Sequence, residues 1–104
     1  MVAPVIVLHL AGRVPEGGRP ALEAFLAEAR PFYEAPGGVR VRLQWDRADP
    51  AQFLEIMEYD DEAAYRTDQE RVERDPEMRA WLARWHALLD GPIEVRVLDD
   101  VPLG

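Results

Sequence analysis

The 104-residue sequence contains no cysteine, serine, asparagine or lysine, and its only threonine is Thr67. Each absence removes a class of chemistry. Without cysteine there is neither a disulfide nor a thiolate nucleophile, without serine no serine nucleophile, and without lysine no Schiff base. Proton transfer is left to carboxylates, tyrosine, arginine and the two histidines, His9 and His86. All 12 basic residues are arginine, and alanine and proline are abundant, a pattern of GC-rich coding. Long apolar runs are missing too. The longest near the start, Val5 to Leu10, is far too short to span a bilayer. No positively charged leader with a small-residue cleavage site accompanies it, so the expected location is the cytoplasm. Positive charge is scarce. A formal charge of −8 and a pI near 4.7 argue against nucleic acid and against an anionic membrane surface. The partners left are a small molecule, another protein or a second copy of the chain.

What is present is an ordinary globular mixture, 48% hydrophobic and 31% charged, which at this length supports one domain over residues 1–104 with one modest core. Val5 to Leu10, "VIVLHL", is apolar and β-branched and predicts a strand. Turn residues follow from Gly12 to Gly18. Leu22, Phe25, Leu26 and Ala29 then recur at helical spacing, with Phe32 and Tyr33 continuing the stripe. Pro31 is expected to weaken the last turn, and "APGG" at Ala35 to Gly38 to end the helix. Val39 to Trp45, "VRVRLQW", alternates strictly and predicts a strand with one dry face. After a loop at Asp46 to Pro50, Gln52 to Tyr59 predicts a third strand, apolar on both faces. Asp60 or Asp61 can cap a helix whose inner side carries Ala64, Tyr65 and Val72. Asp75 and Pro76 break that helix and start another, running to Leu89. Ile93 to Leu98 is a last alternating strand.

The order β-α-β-β-α-β with right-handed crossovers predicts an α+β, ferredoxin-like fold. It has a four-stranded antiparallel sheet with helices on one face and the first and third strands central. The other face has apolar central strands and nothing left in the chain to cover it, which predicts a homodimer formed face to face.

The stretch "FLEIMEYDDEAAY", leading into "RDPEMRAW", carries a further likeness. Together with the element order, and over nearly the whole chain, it resembles the dimeric α/β barrel superfamily, in particular the antibiotic-biosynthesis-monooxygenase-like proteins. The resemblance implies a ligand held between sheet and helices. It also implies a cofactor-free monooxygenase, an oxidoreductase needing neither flavin nor metal and acting on a quinol or aromatic compound. Haem-degrading members use an asparagine on the first strand, and mutarotase-like members a histidine in the first helix. This sequence has neither.

The candidate site residues each carry two readings. In "WLARWH", Trp81 to His86, the tryptophans continue a stripe with Met78, Leu82, Leu88 and Leu89. They form either core or the lining of a flat pocket for an aromatic ligand. His86 flanks the stripe, as an ordinary helix-surface histidine or as a proton acceptor. With Asp90 it forms an i, i+4 pair that lacks a third ligand, so no metal site is assigned. His9 sits in a strand expected to be buried and needs a partner, for which Glu55 on the neighbouring strand is a candidate. The pair is either an acceptor with its orienting carboxylate or a satisfied polar pair at the dimer interface. Arg40, Arg42, Gln44, Glu94 and Arg96 read as a solvated surface or as salt bridges across the dimer, or else as arginines at the barrel mouth that attract a carboxylate or phenolate, and Asp68 to Asp75 as a solvated helix face and loop. The expected enzyme packs Trp45, Tyr65, Trp81 and Trp85 on its substrate and uses His9 or His86, with Glu55, to hold or remove a phenolic proton. The alternative is a non-catalytic dimeric protein with a small-molecule-binding or structural role.

Overall fold

A computed structural model describes residues 5–104. The elements are β1 (Ile6–Arg13), α1 (Arg19–Glu34), β2 (Val39–Trp45), β3 (Gln52–Tyr59), α2 (Glu62–Arg74), α3 (Pro76–His86) and β4 (Glu94–Asp99). The strands pair in the order β2-β3-β1-β4, every neighbour antiparallel, so β1 and β3 are central and the sheet stays open. This is the α+β, ferredoxin-like arrangement expected from the order of elements. No helix among the described residues is long and apolar enough to cross a membrane.

Register fixes which side chains share a face, because partners across a ladder point the same way and neighbours along a strand point oppositely. Leu8 pairs with Met57 and Leu10 with Glu55, whereas His9 pairs with Ile56 and Ala11 with Leu54. Ile6, Phe53, Met57 and Tyr59 face the helices, packed against Leu22, Phe25, Ala29 and Tyr33 of α1 and Met78 and Trp85 of α3. Val95 and Val97 of β4 pair with Leu10 and Leu8 and share that side. They nevertheless stay 58% and 52% exposed, so the helices leave this margin bare.

The opposite, outer face carries Val7, His9, Ala11, Leu54 and Ile56, and no helix packs against it. The arginines of β2 border this face in ion pairs within the chain, Arg40 with Asp60 and Arg42 with Glu58, each at 2.8 Å. These pairs form within the chain, where the sequence reading places salt bridges across a dimer.

Three details differ from the sequence reading. β1 runs on through Gly12 to Arg13. A Cβ at Gly12 would lie 3.1 Å from two ring carbons of Phe53, so a glycine read as turn instead lets the strand pass over a buried ring. As the sequence predicts, α1 runs past Pro31 to Glu34 and ends at Ala35, where "APGG" begins. In its last turn the carbonyls of Phe32 and Tyr33 accept hydrogen bonds from the Arg71 guanidinium at 2.7 and 3.1 Å, beside the bond that Phe32 accepts from the Ala35 N–H, so the helix end is met partly from outside. α3 stops at His86, short of Leu89, so His86 and Asp90 do not share a helical face. The buried residue of α2 is Asp68, not an apolar one. Asp61 is the cap of α2, accepting from the Ala64 N–H at 2.8 Å, and Asp75 caps α3, accepting from the Glu77 N–H at 2.9 Å.

Candidate functional site

A cavity of about 280 Å³ lies between the helix side of β1, β3 and β4 and the inner faces of α2 and α3. Its sheet wall is Leu8, Leu10, Glu55 and Met57, and Val95 and Val97 form its exposed margin. Tyr65, Asp68 and Val72 enter from α2, one helical turn apart along a single face. Met78, Leu82, Trp85 and His86 enter from α3 by the same spacing, and Tyr33 closes the end beneath α1.

Apolar side chains dominate this lining, so its few polar atoms are conspicuous. Glu55 is 3% exposed and its Oε1 has no hydrogen-bond partner; the indole Nε1 of the buried Trp85 has none either. A buried carboxyl without a partner resists ionisation. Burial pushes Glu55 up to about 7, against a smaller opposing pull from the nearby Trp85 indole, which does not reach good hydrogen-bond geometry. At neutral pH the group is therefore poised between acid and base, the condition that favours general acid–base chemistry.

Asp68 is the second buried carboxyl, 4% exposed. Its Oδ2 accepts a hydrogen bond from the Tyr59 hydroxyl at 2.5 Å, while Oδ1 accepts none. The nearest cation, the Arg71 Nη1, stands 4.0 Å from Oδ1, beyond hydrogen-bond reach. Burial raises the Asp68 carboxyl above its ordinary range despite the Tyr59 bond and Arg71. Burial, reinforced by the two carboxyls, also holds the Tyr33 hydroxyl firmly protonated.

Of the seven residues the sequence marks, Glu55, Tyr65, Trp85 and His86 meet at this cavity. His86 is exposed and sits at the rim, edge-on to Trp85 with ring centroids 5.0 Å apart. The other three lie elsewhere. His9 projects from the outer face beside Ile56, so it cannot pair with Glu55, whose side chain points to the helices. The odd–even phase of a strand apolar on both faces separates them. Trp45 stands on β2, donating to Glu23 at 2.9 Å and edge-on to Phe53. Trp81 stacks on Phe32 at 5.8 Å beneath Arg84, in the contact between α1 and α3. Sequence reasoning missed Asp68 and Tyr33. Asp68 lies in a charged run that reads as solvated, although its i+3 relation to Tyr65 places it on the same inner stripe. Tyr33 reads simply as core.

A wider depression of about 600 Å³ beside the loop from β1 to α1 is lined by Arg13, Gly17, Arg19 and Asp90. Its Arg13 is already held by Asp49 at 2.6 Å, and it contains none of the buried unpartnered atoms. No group of three metal-ligating side chains gathers among the described residues.

No protein-family model matches the sequence, and no curated protein matches it. Solved structures do. SnoaB, a cofactor-independent oxygenase from Streptomyces nogalater, superposes with a TM-score of 0.75 at 17% identity, covering 94% of each chain. An antibiotic-biosynthesis-monooxygenase-like protein from Deinococcus radiodurans gives 0.72 at 13% identity over 93% of each chain. Rv0793 from Mycobacterium tuberculosis gives 0.70 at 18% identity, covering 93% of this chain and 95% of the other. At these identities the likeness establishes the fold: the chain has the architecture of the antibiotic-biosynthesis-monooxygenase-like proteins.

Proposed function

We propose that the chain is a cofactor-independent oxygenase acting on a small aromatic or quinol-type compound bound in the cavity between sheet and helices. The observation that carries this reading is Glu55, a buried carboxyl with an unpartnered oxygen on the wall of an otherwise apolar cavity. A volume near 280 Å³ stands at the lower end of the ~300–1,000 Å³ usual for ligand sites. It suits two or three fused rings better than a macrocycle. Tyr65 and Trp85 offer aromatic faces to such rings, and SnoaB lends the precedent that this fold hosts oxygenation without a cofactor.

The chemistry follows from the proton balance. Glu55 as carboxylate takes a proton from a phenol or an acidic ring methylene, leaving an electron-rich anion against a mostly apolar wall. That anion reduces O₂ directly. One oxygen atom forms the new C–O bond of a carbonyl, the O–O bond breaks, and the other oxygen leaves as water with the two hydrogens of the methylene. Glu55 returns the proton it took, so the protein is unchanged. His86 at the rim holds the phenolic end of the substrate rather than the reacting carbon. The protein works in the cytoplasm as a homodimer, joined through the outer sheet face, where His9 lies between Ile56 and Arg96.

Oxygen uptake measured with a panel of hydroquinones and fused-ring phenols tests the reading. A substrate should emerge whose turnover falls by about 10²–10⁴-fold in Glu55→Gln while the fold persists. Tight binding of such compounds with no oxygen consumed would favour the non-catalytic binding protein instead.

A further inference from the structure

The cavity is polar where it is most buried and apolar where it opens, and only the buried end is used above. We infer that the aromatic compound bound there carries an aliphatic chain, which leaves the cavity across Val72, Val95 and Val97. This rests on the reading of the cavity as the phenol site and adds to it the second part of the ligand.

Three observations carry the inference. Of the large apolar side chains exposed among the described residues, Val5, Val101 and Leu103 lie toward the two ends. The others, Val72, Val95 and Val97, all line this one cavity. Exposed apolar groups scattered singly mean little, but a cluster at the mouth of a ligand cavity marks a surface that binding covers. The unpartnered acceptors, Glu55 Oε1 and Asp68 Oδ1, belong by contrast to deeply buried residues. A ligand matching that gradient is polar at its inner end and apolar at its outer end. The charges of β4 are also turned away. Glu94 and Arg96 pair with Ala11 and His9 on the outer face, whereas Val95 and Val97 pair with Leu10 and Leu8 on the cavity side. Fused rings fill a volume near 280 Å³, so a chain attached to them has to run along this margin. Two residues along a strand span about 7 Å, so about six carbons pass both valines of β4.

Quenching of tryptophan fluorescence, with Trp85 in the cavity wall, reads the affinities of a naphthol and of its methyl, propyl, hexyl and decyl derivatives. Affinity should rise about two- to fourfold for each carbon up to hexyl and then level off, as the chain passes the last valine. A double variant, Val95→Thr with Val97→Thr, keeps the branched shape and strand preference but puts hydroxyls where the chain would lie. It should bind the bare naphthol as the intact protein does, while the hexyl-to-parent ratio falls about tenfold or more. Should the double variant not fold, Val72→Thr makes the same comparison from α2, with a fall of about threefold. Equal affinity for every chain length in the intact protein overturns the inference, and is the result expected if a second copy already covers the margin. A gain that the threonines leave unchanged, or one that climbs unbroken to decyl, overturns it too, because the chain then lies elsewhere or adsorbs without a site. If chain length counts for nothing while Glu55→Gln still suppresses oxygen uptake with the phenol panel, the chain inference alone fails. If no naphthol binds and no phenol supports oxygen uptake, both readings fall.

Discussion

A carboxyl held up near 7 couples the stability of the fold to pH, and Glu55, raised by its burial, places that coupling in the mildly acidic to neutral range. Its ordinary value is 4.5. In the folded protein the proton is bound more tightly than in the unfolded chain, so between pH 4.5 and about 7 the native state holds the extra proton. Stability therefore falls as pH rises through that window and levels off above it, a total near 3 kcal/mol for this residue. Glu55→Gln removes the ionisation while keeping the shape. Urea unfolding should show the variant gaining on the unmodified protein by about 3 kcal/mol between mildly acidic and mildly alkaline buffer; a constant difference would contradict the burial argument. Asp68, raised in the same direction by its burial, adds a slope of the same sign that the Glu55 variant retains. That Glu55 is buried was legible in the sequence, since it stands in a run of large apolar residues. Its face was not. A strand apolar on both sides gives no phase, and only the register against β1 separates Glu55 from His9. Asp68 was hidden for a different reason: among aspartates, glutamates and arginines, composition outweighs the one-turn spacing that places it beside Tyr65.

At the scale of elements, Trp81 and Trp85 show how far periodicity reaches. Both belong to one stripe of α3, and both bury apolar surface, as the spacing predicts. A small rotation of the helix decides that Trp85 meets the sheet and the cavity, while Trp81 meets Phe25 and Phe32 of α1, with centroids at 5.9 and 5.8 Å. Spacing alone cannot set that rotation, because it depends on which neighbour each ring finds. Trp81→Ala should cost about 2–4 kcal/mol of stability and leave probe affinity in the cavity unchanged. A loss of affinity as large as that caused by Trp85→Leu would return Trp81 to the site. The broken second helix, its Asp75 cap and its Pro76 were legible because capping chemistry is local. The hold of Arg71 on the last turn of α1 was not, since those hydrogen bonds come from 38 and 39 residues away. Arg71→Ala should lower stability by about 1–3 kcal/mol, seen as an earlier thermal transition. An unchanged transition would mean that solvent satisfies those carbonyls equally well.

For the molecule as a whole, topology followed from the order of elements, and the open outer face followed from topology. Val7, Ala11, Leu54 and Ile56 form an apolar strip there, bordered by ion pairs that are already satisfied within the chain. Such a strip on a chain carrying a charge of −8 is best buried against its own copy, whose face matches it by symmetry. Leu54→Arg, on the outer face and half-buried, should convert a dimer to a monomer by sedimentation. It should leave the cavity on the opposite side able to bind probes. A native protein that sediments as a monomer would remove the dimer from the account.

The central claim is that the cavity holds a carboxyl ready to exchange a proton at neutral pH. Carbon NMR of labelled glutamate side chains, assigned through Glu55→Gln and followed from about pH 4 to about pH 9, measures it directly. One carboxyl should titrate with a midpoint near 7, be missing in the variant and move when a dihydroxynaphthalene is added. A Glu55 midpoint in the ordinary range, unmoved by the probe, would contradict it.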